Sequence, residues 1–332
     1  MTQRFRVAYT LPRRLAEMGI SPEAVLQRAG LPLGLFDLEK ILVTTDELFA
    51  LYRGMTESSE DPAIGLKLGT ENRVEQYDPV AIAGLYARSF RDAIERIARY
   101  KQLICPEELR LHERGDESEV RFVWTFSDER EPPLLVDHCF SWLVGIGRKG
   151  TERPLNPRRV EFQRATEHKP MYEAHFGCPV KFKASHDSLV FHRADLDLPF
   201  VSHNPDMLGV IAPQLELELG KRLAQSSLSE RARSVLKRQL AGQRPAIQQV
   251  ASELCVSTRT LQRRLNEEGF SFQSLLEEAR RELARHYLAH SPLELSEIAY
   301  LLGYEDANSF FRAFHHWEGV PPGQWRVVQA RA

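Results

Sequence analysis

Apolar residues recur at helical spacing through the first third of the chain, and the pattern changes to alternation near residue 109. In residues 89–102, Ile94 and Ile97 share one helix face. Residues 109–126 alternate between apolar and polar around a glycine turn, which predicts a β-hairpin. The other predicted elements before residue 205 are helices at residues 21–30, 45–56, 78–90 and 134–148, and strands at 160–162, 180–182 and 189–191. Residues 1–205 are therefore predicted to form an α+β domain.

The remainder of the chain has only helical patterns. Residues 206–223 predict a leucine-rich helix that Pro213 interrupts, and small polar residues follow it. We therefore predict an interdomain helix and linker at residues 206–228 and an all-α domain at residues 229–332. Seven helices are predicted there, starting near Ser229, Pro245, Ser257, Phe272, Leu295, Asp306 and Pro322.

One pattern occurs twice within the all-α domain, in Ile247–Gly269 and in Leu295–Gly319. Each copy has apolar residues at helical spacing, a small alanine (Ala251 or Ala299), a tight turn, and a second helix that begins with polar residues. A small residue permits two helices to approach closely, and a short turn sets them at an angle. Each copy therefore predicts a helix-turn-helix, whose second helix presents its outward face to the DNA major groove.

The outward faces of the two second helices carry side chains that suit base edges. Arginine can donate two hydrogen bonds to guanine, and glutamine or asparagine can pair with adenine. Phe311 could contact a thymine methyl group. An ordinary helical bundle with polar faces is the alternative, and the occurrence of two such pairs favours DNA. The predicted DNA-binding residues are Thr258, Arg259, Gln262, Arg263, Asn308, Ser309 and Arg312.

Charge refines this prediction, because the chain as a whole offers no basic field. Its formal net charge is −2, and the basic residues are in slight excess only after residue 225, where 14 Lys or Arg face 12 Asp or Glu. Binding to a phosphate backbone therefore requires cations in particular places. The predicted phosphate contacts are Lys237, Arg264 and Arg281, together with backbone N–H groups at the starts of the second helices.

Other classes of function have little support in the sequence. The four cysteines form no CxxC pair, so we expect no disulfide framework and a cytoplasmic protein. His175 and Cys178 have HxxC spacing without a second pair, so no metal and no cofactor are predicted. No catalytic motif stands out, and an enzyme is not expected. No apolar stretch is long enough to span a membrane.

Residues 230–328 resemble the DNA-binding domain of the AraC/XylS family of transcription regulators. The resemblance implies two helix-turn-helix units joined by one long helix, here about residues 272–289, and places base contacts on the residues named above. Phe311 departs from the small or polar residue that is common at its position. The family pattern is carried by Ile298-Ala299, Gly303-Tyr304, Ser309-Phe310, Arg312-Ala313-Phe314, Trp317, Gly319 and Pro322, and in the first copy by Ala251, Leu254, Ser257, Leu261, Arg263, Leu265 and Gly269.

The upstream region resembles the sensing domain of the AraC-type branch that includes ornithine-responsive regulators. The stretches that carry this resemblance are residues 84–93, 171–180, 198–199 and 204–206. It implies control by a small-molecule effector, a possible homodimer and RNA polymerase as a partner, usually for activation. A domain that only dimerises or binds a protein remains an alternative.

A possible effector pocket follows from the polar residues of the predicted helix at 134–148. Asp137 and His138 lie on this otherwise apolar helix with Trp142, and could line such a pocket or be a satisfied core pair. The candidate pocket residues are Tyr86, Arg88, His138 and Trp142.

Overall fold

The structure of the chain is a computed structural model. It describes residues 4–70, 77–124, 129–166, 168–225, 227–240, 242–291 and 293–329. Packing divides the chain into two compact units, Met1–Leu219 and Gly220–Ala332. The division falls inside the segment 206–228 for which an interdomain helix and linker were predicted.

The N-terminal unit is built on a five-stranded sheet in the order β3-β4-β7-β5-β6. All neighbouring strands are antiparallel except β5 and β6, which are parallel. A separate antiparallel pair is formed by β1 and β2. The strands are β1 (Phe5–Arg6), β2 (Leu42–Val43), β3 (Glu107–Arg114), β4 (Glu117–Trp124), β5 (Arg159–Phe162), β6 (Val180–Phe182) and β7 (Ser188–His192).

Helices precede the sheet and lie between its strands, which confirms the predicted α+β class. Among the described residues, none of the helices in the chain combines the length and apolar character that crossing a membrane requires. The helices of this unit are α1 (Leu11–Glu17), α2 (Pro22–Arg28), α3 (Thr45–Glu57), α4 (Ile64–Gly69), α5 (Pro79–Leu85), α6 (Phe90–Tyr100), α7 (Pro133–Thr151), α8 (Lys169–Phe176), α9 (Arg193–Leu196) and α10 (Pro205–Gln225).

The closest helix packing in this unit is between α4 and α7. A Cβ atom on Gly65 would lie 2.7 Å from the Cβ of Asp137, and one on Gly69 would lie 2.5 Å from the carbonyl oxygen of His138. These distances are shorter than side-chain contacts allow, so only glycine fits at either position. The crossing holds α7 against the rest of the core with its polar residues inside.

Helix α10 runs through Pro213 without a break, so the predicted interruption at this residue is wrong. Proline removes one backbone N–H donor and usually kinks a helix. Leu215 and Leu219, on the following turns, are buried against the core of the N-terminal unit. Their burial helps to offset the lost hydrogen bond.

The C-terminal unit contains two small hydrophobic cores that share one helix. Leu275, Leu276 and Ala279 of this helix lie in the first core, and Ala284 and Leu288 lie in the second. This helix connects the two cores, as the resemblance implied for the long helix between the two helix-turn-helix motifs. The helices here are α11 (Leu228–Gln239), α12 (Ile247–Glu253), α13 (Thr258–Glu267), α14 (Phe272–His290), α15 (Leu295–Leu301), α16 (Ala307–Glu318) and α17 (Pro322–Gln329).

The polar residues of α7 have hydrogen-bonding partners within the N-terminal unit. Asp137 accepts hydrogen bonds from Arg164 and from the Tyr172 hydroxyl, the latter at 3.0 Å. His138 Nδ1 lies 2.6 Å from the Tyr52 hydroxyl. Asp137 and His138 therefore have separate hydrogen-bonding partners and do not pair with each other. Burial lowers the pKa of His138 to about 3, helped by the positive charges of Arg14 and Lys101.

The low pKa of His138 predicts a loss of stability in mild acid. Between the pKa of an unfolded histidine, about 6.5, and the folded value, only the unfolded chain binds the proton, so unfolding is favoured as the pH falls. We expect His138→Gln to reduce the pH slope of the free energy of unfolding by up to about 1.4 kcal/mol per pH unit. Urea unfolding from pH 7 to pH 4.5 measures this slope. The exposed His192→Gln is the control, and equal slopes in the two variants would contradict the prediction.

Candidate nucleic-acid interface

The first helix-turn-helix is formed by α12 and α13, which pack through a small apolar contact. Val250 and Ala251 of α12 and Leu261 and Leu265 of α13 are buried. Ser257 caps α13 by accepting a hydrogen bond from the Thr260 N–H at 3.1 Å. The buried stripe fixes which side of α13 faces outward, since the remaining positions are polar.

The second helix-turn-helix, α15 and α16, repeats this arrangement with larger residues. Phe310 and Phe314 of α16 are fully buried against Ile298 and Ala299 of α15. Asp306 caps α16 and accepts from the Ser309 N–H at 2.9 Å. In both helices the side chain at the N-cap accepts a hydrogen bond from the backbone N–H three residues later, so α16 is the structural counterpart of α13.

The turns of the two units close with the same backbone hydrogen bonds. In the first, the Cys255 N–H donates to Ser252 and the Val256 N–H donates to Ala251, at 3.0 Å each. In the second, Gly303 donates to Tyr300 and Tyr304 donates to Ala299, at 2.8 and 3.0 Å. Both Cys255 and Gly303 have positive φ, of 55° and 69°. This shared turn shows that the repeat in sequence is a repeat in structure.

The side chains predicted to read bases lie along the outward sides of α13 and α16. Arg263 pairs with Glu267 one turn away, at 2.6 Å, and both are well exposed. Arg312 donates to the Ser309 hydroxyl at 3.2 Å, and that hydroxyl donates to Asp306. The exposed members of the predicted set are Arg259, Gln262, Arg263, Asn308 and Arg312, and the half-buried members are Thr258 and Ser309.

Phe311 is half-buried and packs against the second core, with its ring centroid 5.8 Å from that of Phe310. Part of its ring therefore supports the helix and is not available to a thymine methyl group. This packing accounts for an aromatic residue at a position where the family pattern has a small or polar one.

The three predicted phosphate contacts have different surroundings. Arg264 is exposed on α13. Lys237 forms an ion pair with Glu282, and its side chain is only 13% exposed. Arg281 pairs with Glu318 at 2.6 Å. Lys237 and Arg281 would have to exchange these partners to contact a phosphate.

Arg280 is buried and anchors the turn of the second helix-turn-helix to α14. Its guanidinium donates to the carbonyl oxygens of Leu302 at 2.9 Å and Gly303 at 2.7 Å, and it stacks on the Tyr304 ring at 4.2 Å. The planar guanidinium of arginine can donate to two carbonyl oxygens at once. The single ammonium group of lysine cannot do so in the same geometry. Helical spacing is the sequence signal that could have found it, because Arg280 lies four residues from both Leu276 and Ala284 on the buried side of α14.

The four residues predicted for an effector pocket are not brought to one place by any contact between them. Tyr86 is half-buried at the end of α5. Arg88 is exposed and forms an ion pair with Asp92 at 3.5 Å. His138 faces Tyr52, and Trp142 lies under the Lys101 ammonium at 5.1 Å.

The HxxC pair does not form a metal site in the described part of the chain, where no group of three or more potential ligands occurs. His175 Nε2 instead lies 2.7 Å from the Ser141 hydroxyl. Cys105 and Cys139 are buried, as expected for unpaired cysteines in a core.

Two outward-facing recognition helices on a shared brace define a DNA-binding regulator of the double helix-turn-helix type. The chain matches the family model for the arabinose-binding N-terminal domain of AraC transcription regulators over residues 19–200, and a helix-turn-helix domain model over residues 250–327. The chain belongs to the AraC family of transcription regulators, which confirms the resemblance seen in the sequence.

The similar proteins are themselves regulators. The ornithine utilization regulator of Pseudomonas aeruginosa is 28% identical, over 94% of this chain and 92% of its own. The regulator VirS of Mycobacterium tuberculosis is 26% identical, over 94% of this chain and 93% of its own. The crystal structure of the regulator CdpR from P. aeruginosa aligns over 95% of this chain and 96% of its own, with 22% identity and a TM-score of 0.46.

The residues at the positive-φ positions of the two turns, Cys255 and Gly303, predict opposite changes in stability when they are substituted. Cys255→Gly removes the cost of positive φ for a side chain and is expected to stabilise the C-terminal unit by about 0.5 kcal/mol, since part of the gain is lost to the freer unfolded chain. Gly303→Ala should destabilise, because its Cβ would lie 2.6 Å from the Gln243 carbonyl oxygen. Thermal unfolding of the two variants measures both effects. A destabilised Cys255→Gly would contradict this account of the turn.

The anchoring role of Arg280 predicts that charge alone is insufficient at this position. Arg280→Lys should cost about 1–3 kcal/mol, because a lysine cannot satisfy both carbonyls in the same geometry. Hydrogen–deuterium exchange of peptides covering residues 295–319 measures the local loss. Arg264→Lys on the exposed side of α13 serves as the control and should leave exchange unchanged. Equal exchange in Arg280→Lys and the native chain would refute the anchor.

Proposed function

We propose that this regulator reads a specific DNA sequence with α13 and α16, each placed in a major groove. The observation that carries this proposal is that both helices bury one apolar stripe and leave groove-compatible side chains outside. Successive major grooves on one side of DNA are about 34 Å apart, so one chain would read a bipartite site. The proposed base contacts are Thr258, Arg259, Gln262, Arg263, Asn308, Ser309 and Arg312.

Arg264 is the first candidate for a phosphate contact, because it is exposed beside the proposed base contacts. Lys237 and Arg281 are proposed as further contacts that form when DNA phosphates compete with Glu282 and Glu318. Each phosphate contact releases counterions from the DNA, so the affinity is expected to fall as the salt concentration rises.

We infer that the N-terminal unit binds a small-molecule effector and that the protein activates transcription in the cytoplasm together with RNA polymerase. Its match to a sugar-binding domain model and its similarity to a regulator named for ornithine utilization support effector control. It acts by binding and not by catalysis. The effector would act through its different affinities for two states of the protein.

A homodimer is the second proposal for the N-terminal unit, and α10 provides the observation that favours it. Met207, Val210 and Leu217 leave apolar surface exposed along this helix, with Val210 72% exposed. Exposed apolar surface of this kind suits contact with a second copy. A dimer would bring two bipartite DNA sites under the control of one assembly.

Base reading by α13 predicts a position-specific effect of Gln262→Ala. DNA sites selected from a random pool by the native protein provide the substrates. The variant should lose about 1–3 kcal/mol of binding free energy and discriminate less at one base position, because a bidentate contact to one base disappears. Binding to each single-base variant of the site, measured by fluorescence anisotropy, tests this.

The matched control is Gln248→Ala, an exposed glutamine on the bracing helix α12. It should leave the base preference of the protein unchanged. Uniform weakening by Gln262→Ala across all sequences would show that this side chain contacts the backbone and not a base.

A further inference from the structure

The N-terminal unit contains a cavity between the sheet and α7. The space is about 220 Å³ including its mouth, and its enclosed part has room for a group the size of one water molecule. None of the four residues predicted earlier for an effector pocket lines it. The lining residues are Glu107, Phe122, Trp124, Glu131, Leu135, Val136, Cys139, Phe140 and Asp187.

The lining of this cavity is acidic. Three of its residues are carboxylates and none is basic. Glu107 is balanced by Lys101 at 3.0 Å. Glu131 accepts a backbone hydrogen bond from Trp124 and Asp187 accepts one from Gln163 at 2.8 Å, but neither has an ion-pair partner among the described residues. The cations that act on Asp187 from farther away include Arg164 and His186, which pair with Asp137 and Glu119, and Arg130 acts on both carboxylates. These two carboxylates therefore have no direct ion-pair partner of their own.

Burial acts on these two carboxylates in the direction expected when a counterion is missing. It raises the pKa of Glu131 well above its ordinary value and also raises that of Asp187, and neighbouring negative charges add to the effect at Glu131. A bound cation would remove this cost.

The walls of the cavity are aromatic, and one of them has an unused donor. The Phe122 ring already faces the Lys101 ammonium at 5.4 Å, and Trp124 and Phe140 supply further ring surface, which attracts cations through the negative face of each ring. Trp124 is 8% exposed, and its indole N–H has no hydrogen-bond partner among the described residues. A buried donor without a partner is costly, so this N–H is suited to an acceptor on a ligand.

We propose that this cavity is the effector site and that it binds a small primary ammonium compound which also carries a hydrogen-bond acceptor. The ammonium group, about the size of water, occupies the enclosed part beside Glu131 and Asp187. The Trp124 N–H donates to the acceptor. This inference rests on the proposed effector control and names the chemical class of the effector.

The test is isothermal titration calorimetry of the full chain with three probes that carry an ammonium group, L-ornithine, 5-aminopentanoate and 1,4-diaminobutane. Pentanoate is the matched compound without an ammonium group. At least one probe that carries both an ammonium group and an acceptor should bind at one site per chain, more tightly than 1,4-diaminobutane, and pentanoate should not bind. Absence of binding by all three ammonium probes, or equal binding of pentanoate, would overturn the proposal.

Variants then place the binding in this cavity. Glu131→Gln and Asp187→Asn should each weaken binding at least about tenfold, and Trp124→Phe, which keeps a ring but loses the N–H, about three- to tenfold. Glu108→Gln, on the same strand as Glu107 but outside the cavity, is the control and should bind normally. Unchanged affinity in the first two variants would place the site elsewhere and overturn the proposal.

Two further measurements distinguish a binding role of Glu131 and Asp187 from a structural role. They also distinguish failure of the cation site from failure of the proposed effector control. The thermal midpoints of Glu131→Gln and Asp187→Asn should not fall, because each replaces a buried carboxyl that has no ion-pair partner by a neutral amide of about the same size. A fall in both midpoints together with lost binding would indicate a structural role and would overturn the assignment. A thermal shift with neutral or anionic compounds alone would retain effector control but overturn a cation site, and DNA binding by the same preparation reports independently on the DNA-reading function.

Discussion

The C-terminal unit depends on one packing constraint, which is that α14 is part of two hydrophobic cores. Its first half covers the helix-turn-helix of α12 and α13, and its second half covers that of α15 and α16. Leu283 contacts both cores from the middle of the helix. A helix of 19 residues is stiff over this length, so the two recognition helices cannot move independently without unpacking a core. The fold thereby holds the two helices proposed to read DNA in one fixed arrangement.

Ion pairs reinforce this brace at the second core. Glu318 at the end of α16 is nearly buried and accepts hydrogen bonds from Arg281 and Arg285 of α14. Burial alone would raise the pKa of Glu318, but the two guanidinium groups hold it below its ordinary value. Arg281 and Arg285 fix α16 to α14 through their hydrogen bonds to Glu318, and Arg280 fixes the turn that precedes α16. The basic residues of this unit therefore serve its architecture as well as any DNA contact.

The sequence predicted most of the helices because their caps and apolar spacing are local. Each C-terminal helix begins within two residues of its predicted start, and Ser257, Ser89 and Ser21 accept backbone hydrogen bonds at the starts of α13, α6 and α2. Helix α4 escaped prediction because it has only six residues and two glycines, whose purpose is visible only against α7.

The cavity escaped prediction for a different reason. Glu107, Glu131 and Asp187 are far apart in sequence and meet only because β7 pairs with β4 inside the sheet. Long-range topology of this kind leaves no signal in local patterns. Of the four pocket residues chosen from the sequence, His138 and Trp142 were chosen for their place on a mostly apolar helix. Neither a position on a helix nor the chemical type of a residue indicates which side chains share a space.

The most direct measurement of the central claim is selection of bound sequences from random DNA by the purified full chain, followed by sequencing. If α14 holds α13 and α16 as one reader, the selected sites will contain two specified blocks per chain. Their centres will be separated by a constant spacing of about 10–10.5 base pairs. A single specified block, or two blocks at variable spacing, would contradict the claim that one stiff helix couples both recognition helices.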